Sequence, residues 1–342
     1  MQNRNRMPVE RRVWPASVEV PMNSLDITAV QEKSAQRSYV YRSKAFEFVS
    51  GDKLAGSVMR EIARTFEATR LLVQALPWGV EPRPPADLGF FRAKLYVTHG
   101  DYVADGGMEN SGGCYSSKDR IFRIPFSSLG LHQRASTWYR TAGFKETALV
   151  HEVTHQMMHE FLPFIPSWVA EGTAEYTETL PYSAGKFSAA YHEHGLRSYM
   201  KRWRDRGVFS SQLSVAGRLM TMKRQDWNTM AESPQKQALL YYQSFMLVYY
   251  FCHLDGDGKG TRFLKYLDAV AKARDEWDLF FKNPAVQKTA DGFRYPRSLK
   301  RPDAKRSEEF GIEKLDILLE GRSPSEMNAA LKAGFRKINI NL

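Results

Sequence analysis

Five consecutive residues, His151-Glu152-Val153-Thr154-His155, set two imidazoles four positions apart. On a helix that spacing puts both rings on one face, one turn apart, where both can reach a single metal ion. Glu152 follows the first histidine and cannot share its direction. Its carboxylate can instead face a water beside the metal and act as general base. Two imidazoles and one carboxylate, with the fourth position left to water, make a zinc ligand set. The third ligand must come from elsewhere, and Glu171 is the candidate. Fifteen residues (156–170) separate it from His155, and Phe161-Leu162-Pro163-Phe164-Ile165-Pro166 within them carries two prolines that end one helix and turn the chain. Ser167 can cap a second helix running from about Trp168 to Leu180, before Pro181. Glu171 then falls in its first turn, and Gly172 lets the two helices approach closely. Glu175, one turn further on, is placed to hydrogen-bond a ligand histidine and fix its tautomer.

These side chains need a helix with two occupied faces. Leu149, Val153, Met157 and Phe161 form an i, i+4 stripe, and the histidines lie about 200° around the helix from it. A helix with core on one face and a metal site on the other belongs in the middle of a fold. His159 continues the histidine row, but by i+8 the direction has drifted about 80°, so it reads as a helix-end histidine. No Gly and third His follow at metzincin offsets.

The remaining pattern is α+β. Residues 1–37 read as an extended arm, partly strand. Residues 38–135 read as a small sheet with one packed helix: strands over 40–49 and 91–97, a helix over about 53–76, and a further strand or hairpin from Cys114 to Pro125. Residues 136–342 read as a helical lobe carrying the site and forming one catalytic unit with 38–135. Its further helices fall at about 185–203, 212–224, 234–254, 260–275 and 323–335. Asp255-Gly256-Asp257-Gly258-Lys259-Gly260 lacks the third acid and closing Glu of a calcium loop and reads as a plain connection.

Composition bounds the function. The 342 residues suffice for one large domain or two modest ones, and 43% hydrophobic residues support a sizeable core. The net charge is +11, with basic residues gathered near both ends. No base-reading module accompanies that charge, so a solvated basic surface is expected rather than a specific nucleic-acid partner. Two cysteines, Cys114 and Cys252, give no disulfide framework and no cysteine zinc site; a single bridge between them stays open. The first 30 residues lack the apolar run of a signal peptide. The apolar stretch 239–252 spans only 14 residues and reads as a buried helix, so no transmembrane segment is expected.

HExxH followed by Trp168-Val169-Ala170-Glu171-Gly172-Thr173-Ala174-Glu175-Tyr176 resembles the gluzincin metallopeptidases, more closely the bacterial peptidase MA-like proteins than the aminopeptidase-N-like enzymes. The resemblance implies a zincin-like fold with a thermolysin-like catalytic core. It implies one Zn2+ held by His151, His155 and Glu171, Glu152 as base and Glu175 behind the ligands. Tyr241-Tyr242-Gln243-Ser244-Phe245 resembles the stretch that carries the catalytic tyrosine in those families, which makes Tyr241 the oxyanion donor and Tyr242 the fallback. Gly106-Gly107-Met108-Glu109-Asn110 matches the Gly-x-Met-Glu-Asn motif of aminopeptidase-N-like enzymes. There the motif pairs with substrate backbone and its Glu holds the free amino terminus, which would give Gly107 and Glu109 those tasks. Alternatively, Gly112-Gly113-Cys114-Tyr115 simply begins an edge strand above the cleft. The expected activity is zinc-dependent hydrolysis of a peptide or protein substrate. The alternative is a catalytically silent peptide-binding or scaffold protein on the same fold. Similar bacterial proteins are often exported, so an extracytoplasmic location follows from the resemblance alone.

Overall fold

The computed structural model describes residues 7–145, 147–205, 207, 216–289 and 292–342. In chain order its first elements are β1 (Val18–Glu19), β2 (Thr28–Lys33), β3 (Ser38–Arg42), β4 (Phe46–Ser50), α1 (Gly56–Ala75), β5 (Phe91–Tyr96) and α2 (His99–Ala104). Then come β6 (Cys114–Ser116), β7 (Ile121–Pro125), β8 (Leu131–Arg134), β9 (Thr137–Arg140), α3 (Thr147–Met157) and α4 (Ser167–Thr179). A short hairpin of β10 (Tyr182–Ser183) and β11 (Lys186–Phe187) leads to α5 (His192–Asp205), α6 (Ala216–Met220), α7 (Arg224–Ala231), α8 (Pro234–His253) and α9 (Thr261–Phe281). The chain closes with β12 (Gln287–Thr289), β13 (Gly292–Arg294), α10 (Glu308–Glu313), α11 (Leu315–Leu319) and α12 (Pro324–Lys337). The fold is mixed α+β, as expected. The chain divides into two compact units, one of residues 13–159 and 174–202, the other of residues 1–12, 160–173 and 203–342.

The first unit is built on a six-stranded sheet of order β2-β3-β4-β5-β7-β6. The central pairs β4–β5 and β5–β7 are parallel; β2–β3, β3–β4 and β6–β7 are antiparallel. Buried and half-buried residues alternate along β5, so one face of the sheet is core. Phe46, Phe48 and Phe122 meet Phe66 of α1 there, with the Phe48 and Phe66 rings edge to face at 5.0 Å, and Phe91 packs on Phe46. Each fully buried ring stabilises the fold by about 1.5–3 kcal/mol. The single strand read over 40–49 is two strands. Ser43, Lys44 and Ala45 turn the chain because buried Glu67 of α1 accepts hydrogen bonds from the Ser43 hydroxyl (2.9 Å) and the Ala45 N–H (2.7 Å). Part of the N-terminal arm is sheet as well: Thr28–Lys33 forms the edge strand β2.

The helix α3 is buried on both faces, including Leu149, Val153 and Met157 on one side and His151 on the other. It is tied to the sheet by Gln156, whose Nε2 donates to the Arg92 carbonyl of β5 at 3.0 Å. It is tied to α4 by the Thr154 and Thr177 hydroxyls, 2.6 Å apart and fully buried.

The second unit is helical. Helix α8 buries every residue from Ser244 to Cys252, matching its apolar sequence. Ser167 is the first residue of α4 rather than its cap, and Val169 and Ala170 direct their N–H groups to the Pro166 carbonyl. Gly172 serves a different neighbour from the one expected. A Cβ there would lie 2.5 Å from the Ser244 carbonyl oxygen and 2.6 Å from Val248 Cγ2, so the missing side chain admits the backbone of α8. Asp255 is buried and held by Arg262 and Arg322, each at 3.0 Å, while Asp257 caps the turn at Lys259 and Thr261. That turn is therefore a connection, not a cation loop. The helix expected over 185–203 starts only at His192, because Ala184 and Gly185, both at positive φ, turn the β10–β11 hairpin first. Helix α9 runs six residues past the expected Asp275, and the β12–β13 hairpin, α10 and α11 had no sequence counterpart. The helix expected over 212–224 falls partly on 212–215, outside the described residues; the described part holds α6 and the start of α7. Among the described residues no disulfide forms, and both cysteines are buried. No described helix is long and apolar enough to cross a membrane.

Candidate metal centre

Helical spacing brings the two histidines of α3 together as expected. Their Nε2 atoms lie 3.1 Å apart, with the rings at 76° to one another. The other nitrogen of the first ring explains the orientation. His151 Nδ1 faces two carboxylate oxygens of α4, Glu175 Oε1 at 3.4 Å and Glu178 Oε2 at 3.3 Å. Facing acceptors, Nδ1 carries the proton, so Nε2 presents a lone pair. Glu175 thus stands where the sequence reading placed it. Glu178 was missed, although 171, 175 and 178 fall at i, i+4 and i+7 and so share one face of the helix.

Two sets of ligand-bearing side chains have their donor atoms within 4.8 Å of one another: His151 with His155 and Glu171, and His151 with Glu175 and Glu178. The first is the predicted ligand set. The mixed imidazole and carboxylate donors of both sets suit a divalent cation of the zinc type. A further sign is Glu175 Oε2, buried and without a hydrogen-bond partner among the described residues. Burial, then the neighbouring charge of Glu175, raises the Glu178 carboxyl above its ordinary pKa, against the pull of His151 and Arg202. Arg202 Nη1 stands 3.6 Å from Glu178 Oε1 and so offsets part of that negative charge.

Glu152 is held by the sheet. The main-chain N–H of Tyr115, in edge strand β6, donates to Glu152 Oε2 at 2.8 Å. The phenol of the same residue meets His159 Nδ1 at 2.7 Å. Tyr115 therefore joins the proposed base to the histidine that follows α3. A main-chain donor has no sequence signature, which is why this link was not foreseen. His159 lies past the end of α3, as expected, and Tyr115 is one of its partners.

The remaining candidates are placed as follows. Cys114–Ser116 is the sheet edge beside β7, in keeping with the edge-strand reading of 112–115. Gly107 lies against the Tyr102 ring, where a Cβ would come within 2.4 Å, so only glycine fits that turn. Glu109 is exposed, and its carbonyl is 2.8 Å from His99 Nε2. In the second unit, Tyr241 is half-buried on α8 and its ring stacks with Trp227 at 6.2 Å. Tyr242 is buried, and burial pushes its phenol up to about 12.

No protein-family model matches this chain, and no curated protein matches it.

Proposed function

We propose that the chain is a zinc-dependent peptide hydrolase of gluzincin type on a zincin-like fold, with His151, His155 and Glu171 as metal ligands. The observation that carries this reading is the pair of Nε2 atoms 3.1 Å apart, with the opposite nitrogen of His151 turned to the carboxylates of buried Glu175 and partly buried Glu178. A purely structural histidine pair has no need of a base beside it. Here Glu152 sits between the two histidines in sequence and is aimed by a sheet amide.

A zinc ion at this position supplies Lewis acidity to the scissile carbonyl and to water. The protein does the rest. Glu175 and Glu178 hold the His151 ring in one tautomer. Glu152 accepts a proton from the attacking water and returns it to the leaving amine. The Tyr115 N–H fixes one oxygen of that carboxylate, so rotation cannot turn the base away. Tyr241, carried over from the resemblance, donates to the developing oxyanion. Edge strand β6, whose Tyr115 N–H is taken by Glu152, is the candidate for pairing with an extended substrate, with Gly107 and Glu109 as further candidates for contact; Tyr242, a candidate from sequence only, is buried.

The test combines metal content with chelator-sensitive digestion of a peptide library. Wild-type protein should hold one zinc per chain and cleave. Glu152→Gln should hold the same zinc and cleave about 10²–10⁴-fold more slowly. A wild-type protein that holds zinc and cleaves nothing would point to the silent peptide binder. A variant that cleaves as fast as wild type would remove Glu152 from the mechanism.

A further inference from the structure

The 25 residues from Lys282 to Arg306 contain eight Lys and Arg against two Asp, more than half of the chain's net charge of +11. All eight cationic side chains are exposed. Among the described residues, Lys300 pairs with Asp303, and Lys305 with Glu309 and Glu313, within the second unit. Lys282, Lys288, Arg294 and Arg297 are exposed and form no ion pair among the described residues. So dense a cationic surface self-repels unless an anion meets it.

The same segment lines an open pocket of about 620 Å³ at the C-terminal end of α9. Leu279, Phe280, Pro284, Leu299 and Pro302 give it apolar walls; Lys282, Lys300 and Arg301 add positive charge. Asp303 in the lining is taken by Lys300, which leaves Glu276 as the one opposing acid. Leu279 is 70% exposed, a large apolar side chain left open to solvent beside the cations.

The shape and the rings decide which anion fits. Phe281 packs on Phe293 at 4.6 Å and Phe280 on Tyr295 at 5.0 Å. Arg301 covers Trp277 at 5.0 Å and Arg306 covers Phe281 at 5.6 Å. Rings packed on each other or roofed by guanidinium groups offer no row of open faces for nucleic-acid bases. A bilayer is met by an apolar face that inserts, not by a hollow. A hollow with apolar walls and cations beside it suits an extended polypeptide that places one apolar side chain inside and carboxylates around it.

We infer that this pocket is a docking site for an acidic polypeptide segment, with an apolar side chain against Leu279 and Leu299 and carboxylates on Lys282 and Arg301. The inference rests on the second unit alone and stands whether or not the chain hydrolyses peptides.

The test uses the full chain and a short fluorescein-labelled peptide of glutamates interspersed with leucines, read by fluorescence anisotropy. Three comparators are the same peptide with serine for leucine, a short DNA duplex, and phosphatidylglycerol vesicles. The leucine peptide should bind, weaken as salt is raised, and lose affinity at least about tenfold in Lys282→Glu and in Arg301→Glu. Both substitutions lie at exposed positions, and circular dichroism confirms that each variant is folded. Binding of the serine peptide as tight as that of the leucine peptide would remove the pocket from the argument. Unchanged affinity in the two variants, or DNA or vesicles binding as tightly as the leucine peptide, would overturn the proposal.

Discussion

Two buried carboxylates, one in each unit, are treated in opposite ways. Asp255 in the helical unit, 5% exposed, is fully satisfied: Arg262 and Arg322 each stand 3.0 Å away, and Tyr250 donates its hydroxyl proton at 3.0 Å. Glu175 in the sheet unit, 4% exposed, has one oxygen 3.4 Å from an imidazole nitrogen and the other with no hydrogen-bond partner among the described residues. A second acid, Glu178, crowds the same nitrogen. Burying a carboxylate is costly unless it is paired, and a fold selected for stability alone satisfies such groups. Asp255 does that by joining α8 to α9 and to the turn before α12. The two acids around His151 are offset in part by Arg202, 3.6 Å from Glu178 Oε1. Under the proposed function they keep the His151 ring basic for a cation.

The comparison breaks first at Asp255. Asp255→Ala leaves two guanidinium groups without their common partner and should cost about 3 kcal/mol of unfolding free energy in urea denaturation. A loss below about 1 kcal/mol would mean that the network is decoration. Glu175→Gln should act in the reverse sense. The amide keeps a contact for His151 but removes a charge, so stability should stay within about 1 kcal/mol. Zinc affinity, measured by competition with a chelating dye, should fall about 10- to 100-fold. Equal destabilisation by the two substitutions, with zinc affinity unchanged, would erase the distinction.

A smaller effect sharpens it with a third carboxylate. Burial raises the Asp105 carboxyl, but hydrogen bonds from Tyr96, Lys94 and Arg123 outweigh it and hold the pKa at about 2, below the ordinary 3.8. A depressed folded value means that the contribution is complete above the ordinary value and is lost as pH falls through about 2. The stability gap between wild type and Asp105→Asn should therefore be constant from neutral pH down to about 5 and shrink below about 4. With the side chain 39% exposed, solvent screens this interaction and the gap should be modest. A gap that widens on acidification would reverse the assignment.

What was legible in the sequence follows from how local the cause is. The two histidines and Glu175 could be read because helical periodicity alone sets their directions. Helix α8 was legible from its apolar length, and β5 from its alternation. The turn at Ser43-Lys44-Ala45 was not, because it carries no Gly or Pro and is made by Glu67, more than 20 residues away. Glu178 was readable in principle from its spacing to Glu171 and Glu175. The role of Gly172 was half legible: its smallness announced a close approach, but which helix approaches is a tertiary fact. The basic segment was visible as charge, while the pocket it lines required the fold.

The bond from Tyr115 N–H to Glu152 has a practical corollary. Since the donor belongs to the main chain, ordinary substitutions at position 115 leave it in place and report only on the phenol and His159. A saturation scan there would look tolerant and hide the interaction. Replacing the single amide by an ester, through semisynthesis, would delete the donor alone and show how far the carboxylate depends on it.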